Sequence, residues 1–136
     1  MQITINGREI ELNFGIRFVR ELDKKFHVVL DNGKRIGTGL EETIPMLFTG
    51  SIQALEDILQ AAVWGAEKKP TQEELDDYLD GVEDVDALFE AVLEELKNQN
   101  ATRKKTLTLV ADLEERAKAG AALKKTRRIL KSDTKS

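Results

Sequence analysis

The stretch that decides the fold class is residues 84–96, DVDALFEAVLEEL. Its apolar residues follow one another at intervals of three, one, three, one and three positions, which is the spacing of one face of an amphipathic α-helix. Asp84 stands just before them and is a favourable N-cap residue. The stripe comprises Val85, Leu88, Phe89, Val92, Leu93 and Leu96. We therefore predict a helix over 84–96 with one continuous apolar face.

Further helices are predicted upstream of this stretch. Ser51 is a favourable N-cap residue, and an apolar stripe at helical spacing follows it over 52–63. Thr71 and Glu74 have the spacing of a capping box, so another helix is expected to begin there and to end at Gly81. Shorter helices are predicted over two segments, Gly15–Lys25 and Ile44–Phe48.

A β-hairpin is predicted at the N-terminus, around Asn6-Gly7. This dipeptide suits a two-residue turn in which both positions need positive φ. Pairing Ile5 with Arg8 and Ile3 with Ile10 then places the apolar side chains of both strands on one face and the polar ones on the other. The clean division of the two faces supports this register.

A second hairpin is predicted around Asn32-Gly33, which carries the same turn signal. With a two-residue loop, Asp31 would lie opposite Lys34, and Val29 would lie opposite Ile36. The helices then follow these two hairpins along the chain.

The charge is divided unevenly along the sequence. Residues 1–100 contain 10 basic and 21 acidic side chains, a balance of −11, whereas residues 101–136 contain 11 basic and 4 acidic ones, a balance of +7. The basic segment has a helical stripe of Leu107, Val110, Leu113 and Ala117. The sequence therefore predicts a mainly α, α+β fold: an acidic helical domain over 1–100 with one or two N-terminal β-hairpins, and a basic C-terminal helix with a flexible tail over 101–136.

Several kinds of chemistry are excluded or disfavoured by composition and motif. The chain has no cysteine and one histidine, which excludes disulfides and Cys-ligated metal sites and disfavours a His-based catalytic centre. Gly33-Lys34 is followed by Arg35 rather than by the Ser or Thr of a phosphate-binding loop. No apolar run approaches the roughly 20 residues that span a bilayer. We therefore predict a cytoplasmic protein that is not an enzyme, uses no cofactor or metal, and does not enter a membrane.

The apolar stripe of the 84–96 helix is a candidate partner-binding surface. Acidic residues flank it, which favours basic partners and opposes self-aggregation. A stripe that stays partly open forms a groove for a partner helix. The candidate contact residues are Leu88, Phe89, Val92, Leu93 and Leu96.

The basic C-terminal arm is a second candidate surface. Its clustered cations, which would bind an acidic partner, are Lys124, Lys125, Arg127 and Arg128. The alternative is a small regulatory or nucleic-acid-associated protein that acts through this arm, because such cations also neutralise phosphates. No aromatic residue follows Phe89, so no base can stack on the arm, which disfavours nucleic acid.

Three stretches, taken in order, resemble the tail assembly chaperones of long-tailed phages and prophages of Gram-positive bacteria. They are ITINGREIELNFGIRFVRELDKKF (3–26), GTGLEETIPMLFTGSIQALEDILQAAVW (37–64) and PTQEELDDYLDGVEDVDALFEAVLEEL (70–96). The resemblance implies a non-enzymatic chaperone that binds the tape measure protein and promotes polymerisation of the major tail (tube) protein around it. It also implies a protein of the host cytoplasm that is absent from the mature virion. Self-association is a further expectation.

Overall fold

The structure, a computed structural model, describes residues 1–133. Two short antiparallel sheets and six helices form in this range. The elements are β1 (Gln2–Ile5), β2 (Arg8–Glu11), α1 (Ile16–Lys25), β3 (His27–Val29), β4 (Arg35–Gly37), α2 (Gly39–Phe48), α3 (Ile52–Ala62), α4 (Gln72–Gly81), α5 (Val85–Asn98) and α6 (Arg103–Asp133). The predicted mainly α, α+β class is confirmed, with both hairpins and the long C-terminal helix.

The first hairpin has the register that the sequence predicts. Ile5 pairs with Arg8 and Ile3 with Ile10. Both residues of the Asn6-Gly7 turn have positive φ, 51° and 77°, as a two-residue type I′ turn requires. The three isoleucines are at most 5% exposed. Their burial fixes the register, because a slip by one residue would turn all of them to solvent.

The second hairpin also forms, but its predicted register was wrong by one residue. Ile36 pairs with Val28 rather than with Val29, and Val29 pairs with Arg35. All four of these side chains are exposed. No buried face therefore holds this hairpin in one register.

The loop of the second hairpin explains the shift. Leu30, not Asp31, lies opposite Lys34 and donates its backbone N–H to the Lys34 carbonyl (2.8 Å). The loop thus has three residues, Asp31 to Gly33. A two-residue type I′ turn would need positive φ at both Asn32 and Gly33, but only Gly33 has it, at 82°. A type I turn followed by a left-handed glycine is the usual three-residue solution.

Three predicted helix starts are confirmed by their caps. The Ser51 hydroxyl accepts the Ala54 N–H (3.2 Å) and begins α3. Thr71 and Glu74 form the reciprocal bonds of a capping box at α4 (3.1 and 3.2 Å). Asp84 accepts an N–H (3.0 Å) at the start of α5. These local signals were readable because each cap is made within three residues of its own helix.

Helix α2 begins five residues earlier than predicted, at Gly39. The Asp23 carboxylate, on α1, accepts the backbone N–H of Gly39 (2.9 Å) and so satisfies a donor at the start of the helix. A Cβ at Gly37 would overlap the same carboxylate. This contact joins residues 16 positions apart, which is why local patterning did not reveal it.

The core lies around α3, which packs against α1, α2 and α4. Leu55, Ile58, Leu59 and Ala62 of α3 have no exposed surface. Ile52, which belongs to the predicted α3 stripe, is instead 45% exposed, because it lies in the first turn beside the exposed Gly50. One face of α3 therefore organises the domain from its second turn onward.

Helix α6 rests on α2 and α5 through its first turns only. The inward face consists of Thr106 and Val110 together with Thr102, which directly precedes the helix, and each is at most 5% exposed. The Thr102 hydroxyl donates to the Leu96 carbonyl (2.6 Å). Two members of the predicted stripe, Leu107 and Ala117, are exposed instead. The face differs from the predicted one because threonines occupy two of its three positions.

The packed core therefore includes the first turns of the segment assigned to the basic arm. The flexible tail was expected over 131–136. Residues 131–133 belong instead to helix α6, and 134–136 lie outside the described residues.

Candidate partner-binding surfaces

The structure divides the predicted α5 stripe between core and surface. Leu88 is 8% exposed, and Val92 and Leu96 have no exposed surface. These three side chains belong to the core and are unavailable to a partner of the folded domain. Phe89 and Leu93 are half-buried and pack at the edge of the core. Val85, the first member of the stripe, is half-buried as well. Of the five candidate contact residues, Phe89 and Leu93 are the two that offer apolar surface to a partner.

The basic arm extends from the domain as bare helix. From Ala111 to Arg128, every side chain is exposed except the half-buried Leu113. At a rise of 1.5 Å per residue, this part of α6 is about 27 Å long. It carries the four predicted cations, Lys124, Lys125, Arg127 and Arg128, and none of them forms an ion pair with residues 1–128. The arm and the α5 stripe are therefore separate surfaces.

A shallow depression of about 460 Å³ lies where the arm leaves the domain. Its walls are mainly apolar, and Lys105 on its rim is ion-paired with Glu41. Leu109 lines it and Leu107, 42% exposed, lies beside it on the same helix. The base of α6 thus combines an apolar floor with charged edges.

Two further apolar surfaces were missed by sequence analysis. The second hairpin exposes Val28, Val29, Leu30 and Ile36, each by at least 41%. The corner between α2 and α3 exposes Met46, Phe48 and Ile52. The sequence gives no local signal for the exposure of the hairpin, because a continuous apolar run such as 28–30 is typical of a buried strand.

The carboxyl group of Glu56, on α3, lies near those of Asp57 on the same helix and Asp76 on α4. Loss of water around Glu56, together with the nearby carboxyls of Asp76 and Asp57, raises the pKa of Glu56 to about 7, although Lys25 acts in the opposite direction. A folded-state pKa above the ordinary value of 4.5 gives stability that is complete below pH 4.5 and is lost as the pH rises toward 7.

Glu74 joins the first hairpin to α4. Its carboxylate accepts hydrogen bonds from the Thr71 backbone N–H (3.2 Å), the Arg8 guanidinium (2.9 Å) and the Asn6 amide (3.1 Å). These donors hold the pKa of Glu74 below its ordinary value, the Thr71 bond most strongly. The contact fixes the hairpin turn to the start of the helix.

Among the side chains that the structure describes, those of residues 1–128, no three His, Asp or Glu are grouped so as to hold a metal ion. In the same range, no helix combines the length and the apolar character needed to cross a membrane.

No curated protein and no solved structure is detectably similar to the chain. The family model of the phage tail assembly chaperone protein, TAC, matches residues 2–110. The match covers both hairpins, α1 to α5 and the packed first turns of α6. The chain therefore belongs to the phage tail assembly chaperone family.

Proposed function

We propose that the protein binds the tape measure protein and promotes polymerisation of the major tail (tube) protein around it. In this proposal it acts by binding alone, without catalysis, in the host cytoplasm, and it leaves before the virion is complete. The observation that carries the proposal is the arm of α6, which extends from a packed domain of this family as exposed, basic helix.

The base of the arm is the proposed docking site for a tape measure helix. A long helical partner with uncovered apolar stripes needs an apolar surface flanked by charge. Leu107 and Leu109 supply apolar contacts beside the depression at Asn100–Leu109. The site is shallow, which favours binding that the tube protein can displace.

The outer part of the arm is proposed to guide acidic segments of the partner. Lys124, Lys125, Arg127 and Arg128 are exposed within one turn of helix or little more. Exposed charges of one sign speed association and lose much of their effect as salt rises. On α5, Phe89 and Leu93 remain proposed contacts because part of each side chain is accessible.

The test is co-expression with the tape measure protein of the same phage, with the soluble fraction of the tape measure protein as the readout. Leu107→Asp should reduce that fraction strongly, because it puts a charge on the docking surface. Ile52→Asp is the matched control, since Ile52 is 45% exposed and Leu107 is 42% exposed. Equal solubilisation by the wild type and the Leu107→Asp chain, with both folded by circular dichroism, would refute the docking site.

Charge reversal of the four arm cations separates the proposal from the nucleic-acid alternative. The charge-reversed chain should solubilise less tape measure protein than the wild type does. High salt should weaken solubilisation by the wild type to the same extent, because it screens the same charges. Strong, salt-sensitive binding of the wild type to duplex or single-stranded nucleic acid, with no effect of the reversal on solubilisation, would favour the alternative instead.

A further inference from the structure

The second hairpin, β3–β4, has an open sheet edge. In the described part of the chain, each of the two sheets contains only two strands. A two-stranded sheet that is exposed on both faces is marginally stable alone, and its outer backbone groups are available to another strand. All four of its large apolar side chains are exposed.

The two edges of this hairpin differ in charge. Strand β4 and its approach carry Lys34 and Arg35, and charged side chains of this kind protect an edge from further pairing. Strand β4 also packs on α1, where Gly37 lies against Asp23. On β3, by contrast, the run 26–30, FHVVL, has no Lys, Arg, Asp or Glu. The β3 edge is therefore the unprotected one.

The hydrogen bonds of the hairpin define which groups face outward. The backbone N–H of Thr38 donates to the Phe26 carbonyl (2.9 Å), and the backbone N–H of Leu30 donates to the Lys34 carbonyl (2.8 Å). Because bonding alternates along an antiparallel ladder, the backbone N–H and C=O of His27 and Val29 point away from β4. The imidazole of His27 is held by its Nδ1 contact with the Asp23 carbonyl (3.1 Å).

We propose that β3 pairs antiparallel with β3 of a second copy of this chain, about a two-fold axis at Val28, to form a four-stranded sheet. In this arrangement His27 of each copy lies opposite Val29 of the other, and each pair exchanges both backbone hydrogen bonds. Val28 meets its own symmetry mate in the closely spaced, non-hydrogen-bonded position.

The second copy is the occupant because the β3 edge is complementary to itself. A two-fold axis at Val28 sets this residue against its own mate, so a charged residue at this position would place equal charges in contact. Strand β3 avoids that conflict and adds apolar contact between the two Val28 side chains. The strand is three residues long, so the interface is small and the dimer is weak and concentration-dependent. This pairing of two copies does not require the tape measure protein as a partner.

Sedimentation of the full chain over a concentration series tests the pairing. The wild type should show a monomer–dimer equilibrium, and Val28→Lys should raise the Kd of the dimer by at least about tenfold, since it places two lysines opposite each other. Ile36→Lys is the matched control: Ile36 lies on the same face with 44% exposure against 47% for Val28, but one strand further from the axis. It should raise the Kd by less than about threefold.

Three outcomes would overturn the proposal. They are a wild type that remains monomeric up to about 1 mM, an equal loss of dimer in both variants, and a larger loss with Ile36→Lys. The second would point to the apolar face and the third to the β4 edge. Because both side chains are exposed, circular dichroism should show an unchanged fold in either variant.

Cross-linking provides a second, independent measurement. The chain has no cysteine, so Val28→Cys introduces a single thiol. In the proposed dimer the two Cα atoms are about 4.5 Å apart, within disulfide range. Under mild oxidation, Val28→Cys should form covalent dimer at least about tenfold faster than Ile36→Cys at equal concentration. Equal rates for the two variants would contradict the pairing.

Discussion

The two hairpins begin from the same Asn-Gly signal and reach different structures. In β1–β2 the turn has two residues, the predicted register holds, and one face is buried. In β3–β4 the turn has three residues, the register is shifted by one, and both faces are exposed. The Asn-Gly dipeptide thus allows either loop length and does not by itself fix the register. Burial of an alternating face is what selects one register, and where it is missing the local turn conformation decides.

The largest expected effect comes from removing apolar volume from each hairpin. Ile5→Ala should lower the free energy of unfolding by about 2–4 kcal/mol, because Ile5 is 3% exposed in the core. Val28→Ala should change it by less than about 0.5 kcal/mol. Urea denaturation at low protein concentration measures both. Similar losses would mean that the second hairpin is also part of the cooperative core.

A smaller effect is expected at the base of the second hairpin. Gly37→Ala should cost about 1–3 kcal/mol, because the new Cβ would overlap the Asp23 carboxylate and disturb its bond to Gly39. Gly81→Ala, at a glycine with open space around it, is the control and should stay within about 0.5 kcal/mol. Equal costs at the two glycines would show that Asp23 does not anchor the hairpin.

Shortening the second turn should have less effect still. Deleting Asp31 leaves Asn32-Gly33 as a two-residue loop between Leu30 and Lys34, so the pairing of the strands can be kept. We expect stability to change by less than about 0.5 kcal/mol, with the type I′ turn replacing the three-residue one. Nuclear Overhauser contacts between the side chains of the paired strands check the register. A switch to pairing Val29 with Ile36 would contradict this expectation.

The smallest effect is a response to acid at Glu74, which joins the first hairpin to the start of α4. Glu74 has a lowered pKa in the folded chain, so the stability it contributes is present above the ordinary value of 4.5 and is lost as the pH falls through the folded value. At pH values below 4.5, hydrogen-exchange protection around the Asn6-Gly7 turn should therefore decrease. Protection of the β3–β4 turn should stay unchanged over the same pH range. Glu74→Gln should abolish the response. A wild-type turn with unchanged protection would contradict the role of this carboxylate.

The parts of the fold that sequence predicts are those determined by neighbouring residues. The caps at Ser51, Thr71 and Asp84 and the first hairpin are local, and all of them are found. The early start of α2 depends on Asp23 across the domain. The inward face of α6 depends on two buried threonines, which hydropathy would assign to solvent.

The candidate surfaces were harder to predict than the fold. The stripe on α5 has the same pattern whether its residues face the core or a partner, and Leu88, Val92 and Leu96 face the core. The second hairpin is exposed because no other element covers its faces in the described part of the chain. The local sequence does not encode whether another element will cover a strand. The exposed cations of the arm were predictable because charge clusters seldom become buried.

The bare helix of the arm makes partner affinity depend on a helix–coil equilibrium. Residues 111–128 gain almost no packing from the domain, so their helicity rests on local propensity, and Gly120 lowers that propensity by about 1 kcal/mol relative to alanine. A partner that recognises the helical form binds with an apparent Kd equal to the intrinsic Kd divided by the helical fraction. A single glycine, one helical turn before Lys124, thereby weakens the apparent affinity for any partner that recognises the helical form of the arm.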